Sequence, residues 1–367
     1  MSVTATIPVR TASRAYDVLV GHGLIDRVGE ICRATAGGGV AAIVSDSNVA
    51  PLYAGQVEAS LGRAGYRSAS VIFEAGERGK RLSTLERLLE GIADAELSRD
   101  DVVVALGGGV AGDMGGLAAA LYLRGIQVVQ VPTSLLAMVD SSVGGKTAVD
   151  LACGKNLVGC YFQPSAVVAD VDCLGTLSHE LLTDSCGEVI KHGVLADERL
   201  FSRMASRPLN AGGYGRAELA RIVARNVEIK RDVVSADETE RGLRQTLNLG
   251  HTIGHAIEAA SGFALGHGAS VAAGLCCIAR AAAAKGWCDE GVSRTIEDAV
   301  SAFGLPVDTD IDHATLLRYA THDKKRRGGT LNVIVPLRIG RVEVRTIAVA
   351  ELGELIALGC GTHRPGA

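Results

Sequence analysis

Two histidines four residues apart, His251 and His255 in NLGHTIGHAIE, fall on one face of a helix, which is the spacing of a two-imidazole metal site. A third, His267, follows in GHGAS, and Glu188 and Lys191 lie upstream in CGEVIKHG. One carboxylate and two neutral imidazoles leave coordination positions open for water and substrate, as a catalytic zinc does. Spacing does not decide which two of the three histidines bind. It does exclude zinc-protease chemistry, because no Glu follows the first histidine. Before His251 come Lys230, Glu240, Arg244 and Asn248. Arg244 and Asn248 are four apart and Asn248 is three before His251, so on a helix they point one way. An exposed salt-bridged helix accounts for Glu240 and Arg244 equally well. Asp323-Lys324-Lys325 before Arg326-Arg327 is a basic knot, either solvated or an anion clamp.

A second chemistry-bearing stretch lies earlier. Asp101 to Leu106 is a valine-rich apolar run cut off by Gly107, Gly108 and Gly109, and Gly112 to Tyr122 is small and apolar with Asp113 near its start. This reads as a buried strand, a glycine turn and a helix whose first amides face the turn, an anion site suited to a dinucleotide pyrophosphate. The letters are not G-x-G-x-x-G, so an ordinary tight turn is the competing reading. After a second strand, Gln127 to Pro132, come Thr133, Ser134, Asp140, Ser141, Ser142, Lys146, Thr147, Lys155 and Asn156. Such a segment is poor core material and suits a phosphorylated, polyhydroxylated ligand; the alternative is a solvated loop.

The elements that must position these residues set the fold. At 367 residues the chain is long for one core, so two domains are expected. A hydrophobic share of 47% with only 4% aromatic suits an α/β protein with closely packed helices. No apolar run approaches the roughly 18–20 residues of a membrane span, and MSVTATIPVRTASRAYDVLV lacks the basic-then-apolar order of a secretory leader. Nine cysteines, odd in number and without a Cys-x-x-Cys pair, read as reduced thiols of a cytoplasmic protein. Formal charge is −4 with acids and bases mixed, which gives no basic stripe for nucleic acid and points to a small-molecule partner.

Thr4 to Arg10 and Tyr16 to Val20 alternate as paired strands before a helix from about Leu24 to Ala34. Val40 to Ser45 ends at Asp46-Ser47-Asn48, where ligands of open α/β sheets sit; Asp46 and Asn48 can hold a nucleotide ribose or amide, or Ser47 or Asn48 can simply cap the next helix. Ser68 to Phe73 leads into the loop of Glu77 and Lys80 and a helix from Ser83 to about Ala95. Strands ending at Asp46, Glu77 and the Gly107 turn define a mostly parallel, Rossmann-like sheet that binds a dinucleotide. After Pro164 the pattern becomes helical, closed by a hairpin at Leu331 to Pro336 and Gly340 to Ile347. The expected division is an α/β nucleotide-binding domain over 1–175 and a mostly α-helical metal- and substrate-binding domain over 176–367, with Gly359 to Ala367 a frayed tail.

The motifs GGGVAGD, VDSSVGGKT, GKNLVG, GEVIK and NLGHTIGHAIE together closely resemble the 3-dehydroquinate synthases, members of the sugar phosphate cyclases. The resemblance implies a homodimer with NAD on the first domain, zinc or cobalt on the second and the reaction in the cleft between them. It puts the metal on Glu188, His251 and His267. It puts NAD on Asp46, Asn48, Glu77, Lys80, Gly108, Gly109, Val110, Asp113, Thr133, Ser134, Lys155 and the turn of Cys173, Leu174, Gly175 and Thr176. Lys146, Asn156, Asn248, His255 and Lys324 would meet the substrate phosphate, with Arg124 offered by the neighbouring subunit. Lys230 and Arg244 would hold the substrate carboxylate, Asp140 and Glu240 hydroxyls near the metal, and Lys191 would stand in the catalytic set. The implied reaction turns 3-deoxy-D-arabino-heptulosonate 7-phosphate into 3-dehydroquinate by transient oxidation with NAD, phosphate elimination, reduction and intramolecular aldol closure, in the shikimate pathway. The family's usual Glu after His-Gly is Ala269 here, which leads one to expect a missing carboxylate behind the metal and weaker metal affinity. Ala75 and Ser178-His179 are further departures. Competing readings are an aminodehydroquinate synthase, a polyol dehydrogenase of the glycerol dehydrogenase type and a non-catalytic binding descendant.

Overall fold

The computed structural model describes residues 2–152, 154–322 and 329–361. Lys324, with Asp323, Lys325, Arg326 and Arg327, lies outside the described residues. The chain opens with an antiparallel pair, β1 (Ser2–Arg10) and β2 (Ala15–His22). Then α1 (Val28–Thr35), α2 (Ala50–Arg63), α3 (Leu82–Asp94) and α4 (Gly109–Leu121) alternate with β3 (Val40–Asp46), β4 (Arg67–Phe73), β5 (Val102–Gly107) and β6 (Gln127–Pro132). A hairpin of β7 (Lys146–Leu151) and β8 (Gly154–Tyr161) precedes β9 (Ala166–Asp170). The main sheet runs β1-β2-β9-β6-β5-β3-β4 and is parallel from β2 onward. Its inner strands are short runs of valine and alanine buried along their length, the pattern of a sheet covered on both faces.

Beyond Leu177 come α5 (His179–Ala196), α6 (Glu198–Ser206), α7 (Arg216–Ala236), α8 (His251–Ala260), α9 (His267–Ala284), α10 (Glu290–Ala302) and α11 (His313–His322). The hairpin β10 (Thr330–Arg338) and β11 (Arg341–Ala348) follows, then α12 (Val349–Gly359). The chain divides into two compact units, one of the residues up to Leu177 with Tyr214–Thr239, the other of Ser178–Gly213 with the described residues from Glu240 onward. This corrects the expected boundary in one respect: α7 packs along β1 and β2 and belongs to the first unit. A helical pattern states that one face is buried but not what covers it, so the sequence could not assign α7. The start of the expected tail is corrected too, since α12 continues to Gly359 and Cys360 is 1% exposed, while 362–367 lie outside the described residues.

In the second unit α9 packs against α5, α8, α10 and α12. It is long and apolar enough to cross a membrane by composition, against the expectation of no such run, but 78% of it is buried inside the protein. Its alanines explain both facts: with Val, Leu, Ile and Cys they raise the mean hydropathy, and with the glycines they let four helices close around it.

Candidate active site

In the first unit the valine run of β5 ends at Gly107, whose φ of +151° and crowded surroundings, with Ala111 Cβ 2.6 Å from where a Cβ would stand, admit only glycine. Gly108 is the N-cap of α4 and supplies no capping side chain; Gly109, Val110 and Asp113 lie in its first turns. A Cβ on Gly108 would stand 3.6 Å from Ser134 Oγ, and one on Gly109 would stand 3.2 Å from Ser141 Oγ. Bare glycines at a helix start, rimmed by hydroxyls, fit a pyrophosphate. The Thr133 amide donates to the Gly107 carbonyl at 2.9 Å, which holds the ends of β5 and β6 together at this turn.

Around the same turn, Asp46 Oδ1 accepts from the amides of Asn48 and Val49 at 2.9 and 3.0 Å. Asp46 thus closes the turn that leads into α2, whose N-cap is Val49 with no capping side chain, so neither Ser47 nor Asn48 caps the helix. Lys80, buried, lies 2.5 Å from Asp113 Oδ2 and donates to Asn156 Oδ1 at 2.5 Å. Burial alone would lower the Lys80 ammonium, but Asp113 and Glu77 outweigh it and hold it above its ordinary value. Lys155 pairs with Glu77 at 3.0 Å. Asn156, at φ +55°, donates from its own amide to Asp150 Oδ1 at 2.7 Å. The Cys173–Thr176 turn is tied to α2 by a 2.7 Å hydrogen bond between Tyr53 Oη and Thr176 Oγ1, with Cys173 and Leu174 buried and Gly175 exposed.

Because α7 belongs to this unit, Lys230 stands beside Asp140: its ammonium lies 2.8 Å from Asp140 Oδ1 and also donates to the Asp140 carbonyl. Asp140 sits in a π-helical turn, Ala137–Ser141. Lys146 at the start of β7 and Arg124 after α4 are exposed.

In the second unit Glu188 projects from the middle of α5 and is fully buried. One carboxylate oxygen, Oε2, pairs with Lys191 one turn on. The other, Oε1, lies 3.5 Å from His251 Nε2 and 3.3 Å from His267 Nε2. Gly250, left-handed at φ +80°, turns the chain into α8 so that His251 and His255 begin the helix, their rings 5.0 Å apart edge to face. The His255 and His267 rings are 5.7 Å apart, and one ligand atom from each of the three imidazoles lies within 4.8 Å of the others. Nδ1 of His251 stands 3.1 Å from the Leu249 carbonyl, and Nδ1 of His267 stands 3.3 Å from Glu258 Oε2. With each Nδ1–H donated backwards, a ring that loses its Nε2 proton turns that lone pair toward Glu188. Two ligands about 2.0–2.1 Å from a tetrahedral zinc are about 3.3 Å apart, the spacing found here, so these donors fit a divalent metal.

The charges agree with that fit. Burial and the neighbouring Lys191 hold His251 well below its ordinary value, which favours the neutral imidazole. Burial pulls His267 down as well, but hydrogen bonds to Glu188 and Glu258 win and raise it to about 10. Two carboxylates around one imidazole call for a positive charge, which a proton or a metal ion supplies. Arg244 is fully buried in the turn Leu243–Asn248, and Asn248 Nδ2 donates to Glu240 Oε1 at 2.5 Å. Glu240 has φ +60°, a conformation costly for a residue with a Cβ. Glu258 was not singled out from the sequence as a site residue. Its spacing of three from His255 was a usable signal, but its partner is on another helix. Ala269 does not leave His267 without a carboxylate behind it, because Glu258 stands there.

Residues 70–184 match the family described as 3-dehydroquinate synthase N-terminal, and residues 185–326 its C-terminal counterpart. The chain is 41% identical over 361 residues to the 3-dehydroquinate synthase of Geobacter sp. (strain M21), covering 98% of this chain and 99% of that one. Among solved structures it is similar to 2-deoxy-scyllo-inosose synthase complexed with carbaglucose-6-phosphate, NAD+ and Co2+, with a TM-score of 0.87, 26% identity and coverage of 97% and 100%. It is also similar to 2-epi-5-epi-valiolone synthase from Streptomyces hygroscopicus subsp. jinggangensis 5008 with NAD+ and Zn2+ bound, with a TM-score of 0.84, 26% identity and coverage of 97% and 98%. With two family halves matched end to end and a full-length relative at this identity, the chain belongs to the 3-dehydroquinate synthase family.

Proposed function

We propose that the chain is a carbon-oxygen lyase that converts 3-deoxy-D-arabino-heptulosonate 7-phosphate to 3-dehydroquinate and phosphate, with NAD and a divalent metal, zinc or cobalt, as cofactors. The observation that carries the reading is the convergence of the Glu188 carboxylate and the Nε2 atoms of His251 and His267 within 3.3–3.5 Å, in a chain of this family. When bound, NAD supplies a reversible hydride exchange and the metal a Lewis acid that polarises the ketone so formed.

The protein's own residues bind and orient. Lys191 holds Oε2 of Glu188 and so presents Oε1 to the metal. In the first unit Gly108, Gly109, Val110, Thr133 and Ser134 receive the pyrophosphate, and Asp46, Asn48, Glu77, Lys80, Asp113, Lys155 and the Cys173–Thr176 turn receive the rest of NAD. Lys230 and the buried Arg244 hold the substrate carboxylate, while Asp140 and Glu240 accept from its hydroxyls. Lys146, Asn156, Asn248, His255 and Lys324 bind the phosphate, with Arg124 from a second subunit of a cytoplasmic homodimer. The first unit is thus the nucleotide unit and the second the metal unit. Such a site works by positioning one substrate through several steps.

The decisive assay supplies NAD, zinc and the heptulosonate phosphate and follows two products and the nicotinamide absorbance. Phosphate and dehydroquinate accumulate, nicotinamide absorbance shows no net change, and a chelator stops turnover. Net NADH formation from a polyol, without phosphate release, would instead make the chain a dehydrogenase.

A further inference from the structure

Helix α9 begins without a capping side chain of its own, since Gly266 stands at its N-cap. Its second and third residues, Gly268 and Ala269, present amides that need an acceptor. Asp184 of α5 supplies it from another helix: Oδ1 accepts from Ala269 at 2.8 Å and Oδ2 from Gly268 at 3.3 Å. These are the two amides that an N-cap Asp would take on its own helix. Asp184 is four residues before Glu188, on the same face of α5. One rod therefore carries the carboxylate ligand and, one turn away, the hook on the helix end whose first residue is His267.

The backbones meet with nothing between them. A Cβ on Gly187 would stand 2.1 Å from the Gly268 carbonyl oxygen, and one on Gly268 would stand 1.8 Å from the Asp184 carbonyl oxygen. The backbones of α5 and α9 thus cross in direct contact, and the two Asp184 hydrogen bonds join them at the α9 start. Ala269, where the resemblance leads one to expect Glu, gives this cluster only its amide.

We propose that Asp184 is a positioning residue of the metal centre: by holding the first turn of α9 it keeps His267 Nε2 at its place opposite Glu188. The inference rests on the reading of Glu188, His251 and His267 as metal ligands. Its test is zinc affinity by competition with a chromophoric chelator, together with the visible absorption of the cobalt-loaded protein, for the native chain, Asp184→Ala and Asp184→Asn. Asn keeps one acceptor for Ala269 but turns an NH2 toward Gly268, so it rescues in part. Zinc affinity is expected to fall about 10- to 100-fold in Asp184→Ala and less in Asp184→Asn, and the cobalt bands of both folded variants should shift or lose intensity. A purely structural Asp184 would lower the melting temperature and leave those bands as they are. Native affinity and native cobalt bands in both variants overturn the proposal; if Asp184→Ala does not fold, native behaviour in Asp184→Asn alone overturns it. A native chain that binds no zinc overturns the metal reading itself, a result distinguishable from failure at Asp184.

Discussion

Glu258 and His267 meet at 3.3 Å, Oε2 to Nδ1, with the other ring nitrogen of the histidine turned to Glu188. The contact fixes which nitrogen carries the proton and makes the ring a better donor to a cation. Glu258→Ala should therefore lower zinc affinity by about 10-fold or more, and Glu258→Gln by less, because its amide oxygen still accepts the Nδ1–H. Chelator competition measures both. Equal affinity in native chain and Glu258→Ala would show that the Leu249 carbonyl behind His251 is sufficient support for the site.

The Lys80–Asp113 pair, with side chains 5% and 17% exposed, lies under the proposed nucleotide site and tests its electrostatics. Removing one partner leaves the other poorly solvated and unmatched, which costs about 3–5 kcal/mol in buried pairs. Lys80→Met should destabilise the protein toward that range, and adding Asp113→Asn should recover part of the loss. Urea unfolding of the two single variants and the double variant gives the coupling. Strict additivity would mean that the 2.5 Å contact contributes nothing.

How much of this was legible beforehand follows from how local each cause is. The valine run before Gly107 announced β5 and its turn because burial and a φ near +151° are properties of a few consecutive residues. The pair His251 and His255 announced a helix face for the same reason. Three things were not local. Helix α7 looks like its helical neighbours in sequence yet covers β1 and β2, which moves Lys230 to the side of Asp140. The Asp46 side chain holds the turn before α2, although Ser47 and Asn48 are good capping residue types, and the helix itself starts from its N-cap Val49 without a capping side chain. Glu258 and Asp184 serve His267 and the start of α9 from other helices, and no spacing rule in the chain encodes those contacts.

Asp101 anchors the start of β5 from below. Its carboxylate accepts from the amides of Gly39, Val40 and Ser98 and from the Ser98 hydroxyl at 2.7–2.8 Å. Burial would raise its pKa, but these donors outweigh it and hold it below the ordinary carboxylate range. A carboxyl depressed in the folded state stabilises above its unfolded pKa of about 3.9 and loses that contribution as pH falls through the folded value. Asp101→Asn, which turns an NH2 toward one set of donors, should cost about 2 kcal/mol near pH 7. The difference from the native chain should shrink on acidification below about pH 4. Stability curves that stay parallel through that range would show that the ionised form is not what Asp101 contributes.

Lys230 and Asp140 give the sharpest test of substrate class. Lys230 is 4% exposed and its ammonium is held 2.8 Å from Asp140 Oδ1, so its charge is placed in advance of any ligand. If it receives the substrate carboxylate, Lys230→Met removes a charge-assisted hydrogen bond, typically about 1.5–3 kcal/mol, or roughly 10- to 150-fold in kcat/KM. Asp140→Asn in the same background controls for the carboxylate left without its ammonium. Phosphate release is the readout, compared between the heptulosonate phosphate and a sugar phosphate of the same length without the acid group. The loss should be confined to the acid substrate. An equal loss on both would place Lys230 in the fold or the shared chemistry, and no loss on either would remove it from the site.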